Sequence, residues 1–314
     1  MPKDPKQTWS IHILENPIDL KPIEELQRLV WLGSETDVVP LHILVTVAHN
    51  GGLVIGAYAG PTYSSETDKN TSPLQPGKQL VGFVFGFPGL YFTPDGPRPK
   101  HCSHQLGVHP QFRNMGLGFL LKRAQWQMVR HQGIDLITWT YDPLLSRNAH
   151  LNISRLGAVC QTYQREVYGE MRDQLNLGLP SDRFQVDWWV NSQRVKRRLS
   201  RRPRRSLDLA HFLSAGVQII NPTYLSPKGL PQPFSKDPSE IANQQDSNLL
   251  LLEVPPDFQS LKELDASLAL EWRLHTRYLF EHLFERGYLV TDFVYLPATQ
   301  PRSFYILSYG ESTL

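Results

Sequence analysis

The stretch HCSHQLGVHPQFRNMGLGFLLKRAQWQMVRHQG, from His101 to Gly133, gathers the residues of this chain best suited to chemistry. It holds His101, His104 and His109, one of the two cysteines, Cys102, and the spacing Arg113, two residues, Gly116, one residue, Gly118. Histidine has an ordinary pKa of about 6.5, so near neutrality it is mostly unprotonated yet basic enough to accept a proton. The three histidines and Cys102 have donor atoms that suit zinc. On alternating or separated strand positions they do not converge, and no metal is expected. The glycines point to an anion. Where a strand passes into a helix, two residues without Cβ let backbone N–H groups approach a bulky anion. The positive helix end adds about 0.3 to 1 kcal/mol when exposed. A diphosphate fits that description. Two common phosphate cradles are excluded by spacing, since neither GxGxxG nor GxxxxGK[ST] is present.

These residues need elements to hold them. WSIHILE, Trp9 to Glu15, alternates apolar and polar residues as a half-buried strand does, and Pro22 opens a helical stretch that stops at Gly33. A second short helix is expected over Pro40 to His49, followed by a hairpin of GGLVIGAYAG and QLVGFVFGF. Between the hairpin strands, residues 61–78 have almost no apolar anchors and read as a long mobile loop. After the central motif, DLITWTYD is a strand, SRNAHLNISRLGA a helix with Ser146 as its cap, and VCQTYQREVYG and RFQVDWWV two further strands. This order predicts an α/β fold with a mixed sheet and helices on both faces. Near the C-terminus, LLLLEVP, a helix from about Leu261 to Arg286, YLVTDFVYL and SFYILSYG form a strand, helix, strand, strand unit. The helix is expected to present Leu264, Leu268, Trp272, Leu279 and Leu283 as one stripe.

Composition limits the classes of function. The chain has 314 residues, 40% of them hydrophobic, and a net charge of +2 from 32 basic and 30 acidic residues. No global field marks a nucleic-acid or membrane protein. Two cysteines are too few for a disulfide framework and fit a reducing cytoplasm. No apolar run approaches the ~20 residues of a membrane span. Eight of the twelve residues from Arg194 to Arg205 are Lys or Arg, a run that reads either as an anion patch or as a solvated connector. It lacks aromatic residues for base stacking, which favours the connector.

The pattern from Arg113 to Gly118, set in VHPQFRNMGLGFLL, resembles the Q/R-x-x-G-x-G/A motif of the GNAT acyltransferases. ITWTYDP and NAHLNISRLGA follow in that family's order, so the resemblance covers roughly Trp9 to Val195 and is closest to a predicted-acetyltransferase subfamily with an extra C-terminal region. It implies a GNAT fold and acetyl-CoA or another acyl-CoA as co-substrate. The backbone of Arg113, Asn114, Met115, Gly116, Leu117 and Gly118 would hold the pyrophosphate, and main-chain groups at Leu106 and Val108 the pantetheine arm. Direct attack of an amine on the thioester follows, with no covalent enzyme intermediate. His104, two residues before Leu106 and so expected on the same strand face, matches a histidine that arylalkylamine N-acetyltransferases use as base. A strand histidine satisfied by a neighbouring backbone group is the alternative. Where the family often places a tyrosine acid, this chain has Ile153, which leaves the acid unassigned; Tyr163 and Tyr168 are weak stand-ins, better read as packing residues with solvated hydroxyls.

Asn148 and Asn152, four apart on one helical face, are candidates for a cofactor contact and a substrate contact, or else a cap and a surface pair. Asp142 either faces a substrate cleft or serves turn chemistry with Pro143. Asp182 and Arg183 pair structurally or grip an acceptor carboxylate, with the structural pairing preferred. The reading is therefore an acyl-CoA-dependent N-acyltransferase of a small amine or amino acid, with a non-catalytic coenzyme A or ligand-binding module as the alternative. A small-molecule amine partner is expected, with a homodimer left open and nucleic acid and membrane disfavoured. Expected domains are an acyltransferase domain over 1–200, a basic and Pro-rich connector over 201–248, and an α/β unit over 249–314 packing on the first domain. That last unit is either an extension or a degenerate second copy of the core, without a glycine pair of its own.

Overall fold

The computed structural model describes residues 9–31, 33, 35–60, 78–169, 178–200, 207–234, 237–242 and 247–310. The expected loop over 61–78 and the end of the basic run therefore fall almost wholly outside the described residues. The fold is mixed α/β, and it divides into two compact units, Met1–Thr138 and Trp139–Leu314.

The first unit contains β1 (Trp9–Ile13), α1 (Pro17–Leu20), α2 (Pro22–Val30), α3 (Leu41–His49), β2 (Leu53–Ala59), β3 (Gln79–Thr93), β4 (Gly96–Val108), α4 (Leu117–His131) and the start of β5 (Leu136–Tyr141). Its strands lie in sequence order and run antiparallel as far as β4, while β5 joins β4 in parallel. One face packs through Tyr58, Phe83 and Phe85 against Leu20 and Ile23 of α1 and α2 and Leu44 of α3. The other face packs through Ile55, Val81 and Val84 against Leu117 and Leu121 of α4. Because both faces are covered, β3 reads as a nearly continuous apolar run rather than an alternating one. Gln27 fixes α2 by exchanging two hydrogen bonds with the backbone of Val39, at 3.1 and 2.8 Å.

The sequence pattern marks no strand between Phe87 and His101, yet β3 and β4 stay paired out to Thr93 and Gly96. Pro94 and Asp95 form the turn of this arm, Gly96 takes the positive φ of 109° that follows it, and Leu90 and Phe92 are exposed. Its proline and glycine content hides the strand period, although a Pro-Asp-Gly turn between β-rich segments is itself a hairpin signal.

The second unit begins with the end of β5 and continues through α5 (Ser146–Ala149), which passes into a π-helical turn over His150–Arg155. There follow β6 (Val159–Gln164), β7 (Arg183–Trp189), α6 (Gln193–Arg198), α7 (Leu209–Ser214), β8 (Gln218–Ile219), β9 (Thr223–Leu225), β10 (Pro231–Pro233) and α8 (Pro238–Ala242). The chain ends with β11 (Leu249–Val254), α9 (Phe258–Leu264), α10 (Ala266–Glu285), β12 (Tyr288–Leu296) and β13 (Arg302–Tyr309). The strand order is β7-β6-β12-β13-β11-β8, with β9 and β10 a separate pair. Phe184 and Phe280 meet edge to face at 4.6 Å in its core, with Tyr305 edge-on to both.

Two local expectations are corrected here. Ser146 does not cap a helix: the cap position is Leu145, and the Ser146 hydroxyl donates to the carbonyl of Pro255 at 2.9 Å. The single helix expected from Leu261 to Arg286 is two, because Asp265 leaves helical geometry and accepts from Leu268 N at 3.0 Å, starting α10 afresh. Leu264 ends α9 and is exposed, whereas Leu268, Trp272, Leu279 and Leu283 keep the buried stripe.

Candidate functional site

Strand β4 has one more residue than the part of β3 it faces. Phe85 pairs with Gln105 and Gly86 with Ser103, so His104 is left over as a β-bulge. Residues opposite each other share a face, which places Gln105 beside Phe85, on the side covered by α1 to α3. The His104 ring lies on that side too, edge-on to Phe85 at 5.2 Å and tilted against Phe87 at 5.9 Å. Leu106 and Val108 pack on the opposite side, in the core under α4. The expectation that His104, Leu106 and Val108 share one face is thus overturned, because the bulge inserts one residue into a period of two. His104 is exposed as a residue, and partial withdrawal of its ring from water lowers its pKa from 6.5.

Beyond Val108 the chain makes one 3₁₀ turn over Pro110–Phe112, where His109 Nδ1 accepts from Gln111 N at 3.3 Å. Arg113 is extended, and Asn114 and Gly116 then both take left-handed conformations, with φ of 67° and 83°. Two left-handed residues on either side of Met115 bend the chain sharply just before the helix begins. Gly116 caps α4 without a side-chain acceptor, and the amides of Leu117 and Gly118 begin the helix with no intrahelical partner. A Cβ built on Gly116 would meet nothing within 4 Å, so its absence leaves open space at the helix mouth. The glycine is required by backbone geometry as well. The Arg113 guanidinium reaches the carbonyls of Val108 and Val30, each at 3.4 Å, and so spans the ends of β4 and α2.

On its far edge β4 pairs with β5 at His101–Ile137 and Cys102–Thr138. Leu106 and Val108 lie beyond that two-pair ladder, on the stretch of β4 that leads into the turn. The first unit therefore joins, along one continuous segment, a partly desolvated imidazole, a strand end outside the β5 ladder and a mouth of turned amides. Among the described residues no group of three His, Cys, Asp or Glu side chains is placed to hold a metal ion.

A buried polar cluster under β4 was not apparent in the sequence. Lys122 Nζ donates to Ser103 Oγ at 2.7 Å and to Gln125 Oε1 at 3.2 Å, and Ser103 Oγ lies 2.9 Å from the same Gln125 oxygen. Gln125 Nε2 lies 3.2 Å from His101 Nε2. Burial drives the Lys122 pKa well below 10.5, and burial with the nearby Lys122 lowers His101 to about 3. The available signal is the spacing of Leu121, Lys122 and Gln125, which puts a lysine on the sheet-facing stripe of an amphipathic helix.

In the second unit, both oxygens of Asp142 are engaged. They accept from Arg273 at 2.9 and 2.5 Å, and Oδ1 also accepts from Leu144 N at 2.9 Å, the turn chemistry named as its alternative role. Burial pulls the Arg273 pKa down, but the adjacent Asp142 charge leaves it raised. Asn148 is half-buried and Asn152 buried, with the π-helical turn entered between them, so they differ in environment despite the expected common face. Ile153 is fully buried. Asp182 binds Arg277 at 2.7 and 2.9 Å rather than the Arg183 side chain, which donates to the Asp182 main-chain carbonyl. Tyr163 donates its hydroxyl to Asp182 at 2.8 Å, which corrects the expectation of a solvated group, and Tyr168 shares a 2.8 Å bond with Thr140. The described part of the basic run is structural in two places: Arg194 donates to the carbonyls of Gly157 and Thr291, and Arg198 pairs with Asp292 at 2.5 Å.

No protein-family model matches the sequence, and no curated protein matches it. Among solved structures the chain is similar to Arabidopsis thaliana NAA60 in complex with acetyl-CoA, at 16% identity and a TM-score of 0.43, over 59% of this chain and 100% of that one. It is also similar to the ribosomal-protein-S18-alanine N-acetyltransferase from Escherichia coli, at 13% identity and a TM-score of 0.40, over 59% and 96%. Ard1 from Thermoplasma volcanium is similar at 13% identity and a TM-score of 0.38, over 57% and 95%.

Proposed function

We propose that the chain is an acyl-CoA-dependent N-acyltransferase that moves an acetyl or other short acyl group to the amine of a small molecule or amino acid. The observation that carries this reading is the open mouth of α4, where left-handed Asn114 and Gly116 lead into the first amides of the helix and a Cβ on Gly116 would meet no atom within 4 Å. It lies directly downstream of a bulged strand that presents a histidine. The amides from Arg113 to Gly118 would hold the coenzyme A pyrophosphate, and main-chain groups of Leu106 and Val108 the pantetheine arm. On this reading His104, whose ring lies on the side of β4 opposite α4, receives the proton there.

In this mechanism a neutral amine bonds through its nitrogen to the thioester carbonyl carbon, the C–S bond breaks, and the sulfur leaves with the electron pair. His104 accepts the proton that the nitrogen sheds. Its lowered pKa keeps it unprotonated across the neutral range. Ile153, buried where the family often has a tyrosine, cannot protonate the thiolate, and this favours the second reading, a coenzyme A-binding module without turnover. Thermal unfolding with acetyl-CoA, succinyl-CoA and free coenzyme A tests the shared binding step. Ligand at 100 times its dissociation constant adds about 2.7 kcal/mol to stability, and no shift with any of the three defeats both readings. Thiol release against an amine panel then separates the enzyme from the module.

A further inference from the structure

Past Gly86 the register of β3 and β4 runs without a further break, so each residue of their arm has a definite side. Phe87 lies against the His104 ring and so marks the side that His104 faces. Gly89 and Tyr91 follow on that side of β3; on β4 the same side carries Cys102 opposite Phe87, Lys100 opposite Gly89 and Arg98 opposite Tyr91. A Cβ built on Gly89 would strike Cys102 Sγ at 2.7 Å and touch the Lys100 stem at 3.7 Å, so the glycine leaves a notch between Phe87 and Tyr91. Lys100 is half-buried and Arg98 exposed, and among the described residues neither makes a hydrogen bond or an ion pair. Asp95, the one acidic residue of the arm, sits in its turn. A half-buried ammonium without a counter-charge calls for an anion from outside, and a second cation in line with it strengthens the attraction.

We infer that the acceptor amine carries an anionic group, a carboxylate or a phosphate, which Lys100 and Arg98 hold while the nitrogen lies beside His104. This rests on the acyltransferase reading and narrows it to one class of acceptor. His104 and Lys100 are three to four strand residues apart, about 10 to 13 Å, so amine and anion sit at opposite ends of a spacer of that length. Phe87 and the notch at Gly89 flank the path between them, which suits an apolar spacer. A diamine brings a further cation to the same place and is repelled. Lys100 and Arg98 take no part in the proton transfer; they decide which amines are held.

The test measures thiol release from acetyl-CoA with octylamine, ω-aminooctanoate, ω-aminooctyl phosphate and α,ω-diaminooctane, using the full chain, Lys100→Met, Lys100→Arg and Arg98→Met. The wild type is expected to favour an anionic amine over octylamine by about tenfold in kcat/KM, as one charge-assisted hydrogen bond at a partly exposed site provides, and to turn over the diamine most slowly. Added salt is expected to shrink that preference, because exposed charges are screened. The two anionic amines separate a carboxylate from a phosphate. Lys100→Met and Arg98→Met are each expected to raise KM for the anionic amine and reduce the preference, with KM for acetyl-CoA unchanged, whereas Lys100→Arg keeps it. A wild type that releases thiol equally from octylamine and both anionic amines, or a preference that survives both Met substitutions together, overturns the inference and leaves the acyltransferase reading standing. A wild type that binds acetyl-CoA but releases no thiol with any of these amines overturns both.

Discussion

Lys122 Nζ and Ser103 Oγ lie 2.7 Å apart under β4, in a cluster with almost no access to water. A lysine whose folded pKa is depressed binds fewer protons in the native than in the unfolded state, so the native state gains stability as pH rises toward the unfolded pKa of about 10.5. Replacement by Met removes that pH dependence. Lys122→Met is expected to be more stable than the wild type by about 1 to 3 kcal/mol near pH 7, with the gap closing toward pH 10. Urea unfolding at several pH values checks this; a variant that is less stable at pH 7 and unchanged in slope would place a charged lysine there.

Gly116→Ala probes the helix mouth. The substitution forces a side chain to φ of 83°, which costs about 1 to 2 kcal/mol, while a Cβ finds no protein atom to strike. Modest destabilisation is therefore expected together with a much reduced thermal shift on adding acetyl-CoA. A variant that keeps the full shift would show that the amides do not need this opening.

His104 should leave a trace in the pH profile. If it is the proton acceptor of the proposed reaction, its neutral form is the active one, so kcat/KM is expected to fall as pH drops through an apparent pKa below 6.5, since partial burial lowers the group. His104→Ala is expected to lower kcat by roughly 10²-fold or more and to abolish that acidic limb. Activity that keeps both rate and limb would assign the proton to another group.

Asp142 and Arg273 form a buried ion pair in the second unit, 2.5 Å apart at the closest atoms. Removing one partner strands a charge, and Arg273→Met is expected to destabilise the protein by about 3 to 5 kcal/mol in denaturant unfolding. Asp142→Asn, if it unfolds more easily but leaves acceptor KM unchanged, identifies the carboxylate as structural. A raised acceptor KM with stability intact would restore it as a substrate contact.

Much of this molecule could be read from residue order because period and punctuation agree. Pro22 opens α2, Gly116 stands at the start of α4, and Val159 and Leu249 begin strands of the expected kind. The motif from Arg113 to Gly118 was visible because left-handed backbone needs glycine or asparagine, and that requirement is written in residue type. What escaped has a common cause. The bulge at His104 depends on how many residues β3 offers opposite it, a count that no local pattern contains. The split at Asp265 was hidden because leucines continue on both sides, and the polar knot of His101, Ser103, Lys122 and Gln125 forms only once β4 and α4 are packed. Tyr163 and Asp182 meet across 19 positions for the same reason.

The single surplus residue in β4 also determines which genetic changes the protein can absorb. Exchanging one side chain there for another leaves the frame of the strand intact. Deleting a single codon between Ser103 and Leu106 would let the ladder close without a gap, and only one of the two polar groups now side by side could remain in that position. A shortened allele would therefore fold tidily yet present a different pair of side chains on this face, whereas most point changes nearby would leave the strand's register as it is.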